Sequence, residues 1–116
     1  MTLQHIVLFS YPDELSAADA KDMRDQILGW RGVIPNIRTM RFGRDLTGAR
    51  TNGYQYLLYM EFDNEDDLRA YQQHPVHQRF LKWVLDHHCT PLAFDYHLTD
   101  ETVLLAASTV HPDLES

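Results

Sequence analysis

In the stretch YQQHPVHQRF, residues 71–80, a tyrosine and two histidines bracket a proline. Imidazole is the side chain whose charge changes near neutral pH, and a neighbouring tyrosine hydroxyl can hold or orient the proton it moves. These residue types suit proton transfer, or the binding of a polar atom on a small molecule. Pro75 cannot continue a helix arriving from its N-terminal side, but it suits the first turn of a new one, so it predicts a break between two helices. Tyr71 then closes one helix and His77 opens the next, on packed segments able to converge on one cavity.

Projected at about 100° per residue, the helix from Pro75 gathers Val76, Phe80, Leu81, Trp83, Val84 and Leu85 on one arc. Gln78, Arg79, Lys82 and Asp86 lie opposite, and His77 falls near the middle of the apolar arc. An imidazole aimed inward must be neutral or paired, because an unpartnered buried charge is costly. Two readings stand for His77: a satisfied core histidine bonded to a carbonyl or tyrosine, or the base of a functional site. Tyr71 lies one turn after Leu68 and should face the sheet as well, as apolar filling or as the partner of His77. Phe80 and Val84 are the apolar candidates for contact with a ligand.

His5 shares an alternating set with Leu3, Val7, Phe9 and Tyr11, and a polar side chain on such a face is a pocket candidate. Tyr54, Tyr56, Asp95 and His97 supply further polar tips, with Tyr56 taken as a ligand-binding candidate. His74, at a helix end, is expected to interact with free carbonyls. The HPVH spacing could pair two imidazoles on a metal, but the proline break spoils the regular geometry, so no metal site is assigned. Phosphate loops, nucleophile elbows and dinucleotide fingerprints are absent from the sequence, and no cofactor is expected.

The elements that must position these residues follow from periodicity. Residues 3–11 read as a strand buried on both faces. Ser16 opens a helix in which Ala20, Met23, Ile27 and Trp30 recur at helical spacing, ended by Gly32 and Pro35. Residues 37–43 form a second strand, where Gly43 suggests a bulge or a close backbone approach. After a loop over 45–53, YQYLLYMEF (54–62) is a third strand with Tyr54, Tyr56, Leu58, Met60 and Phe62 on one face. Asp63 or Asn64 caps the next helix, the Pro75 helix runs to about residue 88, and 91–98 is the fourth strand.

The order β-α-β-β-α-β, with the second helix broken, is an α+β ferredoxin-like plan: helices cover one face of a four-stranded antiparallel sheet. Both alternating sets of the strands carry large apolar or aromatic residues, so the uncovered face wants a partner. A homodimer with two sheets face to face, closing a barrel, is the simplest solution.

Residues 1–100 are read as one domain and 101–116 as a C-terminal extension, in which Val103 to Ala107 should pack on the barrel or the partner subunit. At 116 residues the chain can bury a core without staples. A net charge of -7 with scattered Lys and Arg argues against nucleic acid. Cys89 is the lone cysteine, which rules out an internal disulfide and suits a reducing cytoplasm. No segment has the ~20 apolar residues of a membrane span, and no basic-then-apolar leader opens the chain, so an unprocessed protein away from membranes is expected.

Residues 3–98 resemble the stress-responsive dimeric α/β-barrel family. The resemblance rests on the opening HIVLF, on IPNI with the later FGRD, on GYQYLLYMEF, on AYQQHPVHQRF and on the closing FDY. It implies a homodimer joined through the open sheet face, and a role in stress physiology or in binding a small, partly apolar molecule. A plant polyketide cyclase of the family uses a tyrosine and a histidine that match Tyr71 and His77. Its first-strand histidine matches His5, while a third-strand pocket histidine is replaced here by Tyr56. If that chemistry carries over, His77 is the general base at an acidic carbon and Tyr71 holds the base or the enolate oxygen. Fold analogy alone adds cofactor-free oxygenation as a further alternative.

Overall fold

The computed structural model describes residues 2–99. Its elements are β1 (Leu3–Ser10), α1 (Ala17–Leu28), β2 (Thr39–Arg44), β3 (Tyr56–Phe62), α2 (Glu65–Gln73), α3 (Pro75–Asp86) and β4 (Thr90–His97). The strands form one antiparallel sheet in the order β2-β3-β1-β4. This is the α+β ferredoxin-like fold. The expected packing of Val103 to Ala107 falls outside the described residues.

Side-chain caps set the helix starts. Ser16 accepts the Asp19 backbone N–H at 3.1 Å, and Asn64, rather than Asp63, accepts that of Asp67 at 2.8 Å. Glu65, Asp66 and Asp67 occupy the first turn of α2, where the helix dipole favours carboxylates. The break before α3 follows from Pro75, which holds His74 in an extended conformation at φ -64 and ψ 135. Because proline has no N–H, the next free donor is that of Val76, and His74 Nδ1 accepts it at 3.1 Å. His74 therefore caps the start of α3 with its ring, instead of meeting carbonyls as expected.

Three other expectations are corrected. Helix α1 stops at Leu28, so Trp30 lies in the following turn, its carbonyl accepting the Ile34 N–H at 3.0 Å; its side chain is nonetheless fully buried. Gly43 pairs with Leu57 in unbroken register, and a Cβ there would meet nothing within 4 Å, so it marks neither a bulge nor a close approach. Leu85 is 50% exposed although it falls on the apolar arc of α3. Only part of that arc meets the sheet, and Phe80 and Val84 fill it.

Strand register decides which side chains share a face. His5 stands opposite Met60 and Asp95, and Val7 opposite Leu58 and Ala93. Leu3, His5, Val7 and Phe9 thus join Tyr56, Leu58, Met60 and Phe62 in the core with Met23, Ile27, Trp30, Leu68, Tyr71, Phe80 and Val84. The opposite face carries Ile6, Leu8, Leu57, Tyr59, Leu92, Phe94 and Tyr96. Leu57 is 40% exposed, Leu92 49% and Phe94 64%. Among the described residues, no helix is long and apolar enough to cross a membrane.

Candidate functional site

The Pro75 break brings the end of α2 against the start of α3, and the rings of Tyr71 and His77 meet at a centroid distance of 4.3 Å. Tyr71 also contacts Phe62 at 5.3 Å, Trp30 at 5.6 Å and His5 at 5.9 Å. Trp30 lies 5.9 Å from His77 and 5.0 Å from Phe80, which it meets edge to face. His5, Tyr71, His77 and Phe80, singled out in the sequence, are thus joined in one cluster with Trp30. His77 is half-buried, so one edge of the cluster reaches the surface.

His77 Nδ1 lies 3.0 Å from the Gln72 carbonyl oxygen. A carbonyl only accepts, so Nδ1 carries the proton, and in the neutral ring Nε2 keeps its lone pair. Burial pushes the His77 pKa below its ordinary 6.5; the Gln72 carbonyl opposes this and His5 adds to it. A neutral imidazole with one basic nitrogen is the result. Burial pushes the Tyr71 hydroxyl well above the usual phenol range, so it acts as a hydrogen-bond donor and not as an anion.

His5 is held by the neighbouring edge strand β4, on the same face of the sheet. Its Nδ1 bonds the Asp95 carboxylate, its direct cross-strand neighbour on β4, which fixes the orientation of the ring. Among the described residues, the indole Nε1 of Trp30 and the hydroxyl of Tyr56 are buried without a hydrogen-bond partner.

Two of the expected site residues stand apart from the ring contacts. Tyr56 pairs with Phe9, four residues along β3 from the Met60 that faces His5, or roughly 13 Å at the rise of a strand. Its ring stacks on Phe42 at 5.8 Å, meets Tyr11 at 6.2 Å and lies under the Arg44 guanidinium. Val84 is buried one turn beyond Phe80. Tyr56 instead lines two surface clefts, of about 600 and 440 Å³, neither of which is lined by His5, Tyr71 or His77.

Asp95, named in the sequence only as a polar tip, and Trp30 are the members that sequence reasoning did not place in the cluster. Pairing β1 with β4 antiparallel would have set Asp95 beside His5. Trp30 carried only a core signal, because its helical spacing hid that it sits in a turn. Together the cluster offers a proton acceptor at His77 Nε2, donors at Tyr71 and Trp30, and an aromatic wall.

The model of the Stress responsive A/B Barrel Domain matches residues 3–98. No curated protein matches the chain. Among solved structures, a dimeric ferredoxin-like protein of unknown function from Thermobifida fusca is 28% identical, with 84% of this chain and 92% of that one covered at a TM-score of 0.74. Another dimeric protein of unknown function, from Bacteroides fragilis, is 26% identical, with 84% and 96% covered at 0.71. A hydroxynitrile lyase from Passiflora edulis shares the fold at 19% identity, with 85% and 94% covered at 0.75. With nearly the whole of the described region matched, the chain belongs to the stress-responsive A/B barrel domain family.

Proposed function

We propose that the protein is a homodimer, joined through its open sheet face, that binds a small, partly apolar molecule beside Tyr71 and His77. The observation that carries this reading is the tautomer of His77: with Nδ1 committed to Gln72, Nε2 is left basic beside the Tyr71 ring. Phe80 supplies apolar contact within the cluster and Val84 extends it. The half-buried edge of His77 supplies the approach. The lone, buried Cys89 supports placement in a reducing cytoplasm, and the family description supports a role in stress physiology.

The same geometry supports a second reading, proton transfer. His77 Nε2 takes a proton from an acidic carbon or a hydroxyl, and Tyr71 donates to the oxygen that gains charge. The Passiflora edulis neighbour, a hydroxynitrile lyase, makes lyase chemistry on this fold a concrete precedent. The test is an NMR titration of the His77 ring with acetylacetone, acetophenone and benzaldehyde, in the native protein and in His77→Ala. Saturable shifts at His77 and Tyr71, lost in the variant, are expected. Ring signals unmoved by all three compounds, or equal binding by the variant, would sink the binding reading; proton exchange at the carbon of acetylacetone separates binding from turnover.

A further inference from the structure

Helix α1 and the edge strand β2 leave between them a cleft of about 440 Å³, which no residue of the ring cluster lines. Phe42 and Arg44 pair with Leu58 and Tyr56, so the cleft opens on the helix-covered side of the sheet and a dimer formed through the other face leaves it accessible. Its lining concentrates positive charge in an acidic chain. Lys21 and Arg24 from α1 and Arg44 from β2 are three of the chain's ten Lys and Arg residues, and among the described residues no Asp or Glu lines the cleft. Phe42 and Tyr56, stacked at 5.8 Å with their planes 6° apart, give it aromatic surface. Ala17 and Ala20 contribute only methyl groups from α1, which keeps the space open.

We propose that this cleft is a second binding site, for a monocarboxylate carried on a flat aromatic body. The charge balance selects the ligand. Asp25 serves both Lys21, at 2.5 Å, and Arg24, at 3.9 Å, while Glu14 bonds Arg44, so two carboxylates face three cations. Asp45, whose charge also reaches Arg44, accepts the Gly48 N–H. One surplus positive charge suits a single carboxylate better than a doubly charged phosphate. The side chains of Lys21, Arg24 and Arg44 are 68%, 57% and 51% exposed, and ion pairs so exposed contribute little, so an incoming carboxylate can share or replace a partner. The planar guanidinium of Arg44 can meet both carboxylate oxygens at once, and it lies 5.7 Å from the centre of the Tyr56 ring. Charge and aromatic surface therefore meet at one place, and the ligand's flat body packs against Phe42.

The probe is 2-naphthoate, with 2-naphthamide as a neutral body of the same shape. In NMR titrations of the native protein, 2-naphthoate should move the Ala17 and Ala20 methyl signals and the Phe42 ring signals saturably. The amide should bind about tenfold or more weakly, the loss expected when a hydrogen bond to a charged group is given up. Arg44→Gln should weaken 2-naphthoate by a similar factor, Ala20→Leu should block it by filling the space, and His77→Ala should leave it unchanged. The native titrations of acid and amide give the answer even if a variant folds poorly. Equal affinity for the amide, or unchanged affinity in Arg44→Gln and Ala20→Leu, overturns the carboxylate site. Shifts at His77 in place of Ala17 and Ala20 overturn it too, while supporting the binding reading above, and no shift with either compound overturns the second site alone.

Discussion

Committing one imidazole nitrogen decides what the other can do. In His77 the Gln72 carbonyl takes the Nδ1 proton, and burial outweighs that carbonyl's preference for the charged ring. The consequence for stability has a definite sign. The folded pKa lies below the ordinary 6.5, so between the two values the unfolded chain binds a proton that the folded chain refuses. The contribution of neutral His77 is complete above the unfolded value and is lost as pH falls through it toward the folded value. His77→Phe removes this titration while keeping a ring beside Tyr71 and Trp30. Denaturant midpoints measured between about pH 7.5 and pH 5 should therefore fall more steeply for the native protein than for the variant, whereas parallel curves would show that burial does not disfavour the charged ring.

At the scale of elements, the site depends on where helices begin. Asn64 starts α2, and Tyr71 lies two turns on; the extended His74 and Pro75 then restart the helix so that His77 faces back toward Tyr71. Asn64→Ala leaves the Asp67 N–H without its side-chain acceptor and should cost about 1 kcal/mol. For a domain of this size that lowers the thermal midpoint by roughly 4–8 °C. An unchanged midpoint would mean that water replaces the cap without loss. This part of the architecture was legible in the sequence because proline, cap residues and helical spacing are local signals. The approach of Tyr71 to His77 was legible for the same reason. The pairing of His5 with Asp95 was not, since it joins residues ninety apart through a register that only the assembled sheet defines. The distance of Tyr56 from the cluster has the same origin: alternation tells which face a strand residue takes, but not how far along the sheet it lies. Trp30 was misplaced because Gly29 ends α1 while the apolar spacing continues for one more residue.

For the whole molecule, the open sheet face is the largest structural demand. Leu57, Leu92 and Phe94 expose apolar area there that a monomer would leave in water, and the polar residues on the same face satisfy one another. The Tyr59 hydroxyl donates to Gln4, whose amide donates to Glu61 and Thr2 at 3.0 and 3.1 Å, and the Arg41 guanidinium lies over the Tyr59 ring. Such a closed network can be covered by a second sheet without orphaning its members. Net charge opposes association, since each chain carries -7, so apolar burial must hold the proposed dimer together. Phe94 is the most exposed of the large apolar residues on this face, and a carboxylate placed there would be buried twice over in a symmetric dimer. Phe94→Asp should shift sedimentation from dimer to monomer while circular dichroism keeps the native pattern. Leu46→Asp, equally apolar in origin and 98% exposed but in the β2–β3 loop, should leave the dimer intact. If both variants remain dimeric, the contact lies elsewhere than on the open face; if both dissociate, charge alone and not the sheet governs assembly.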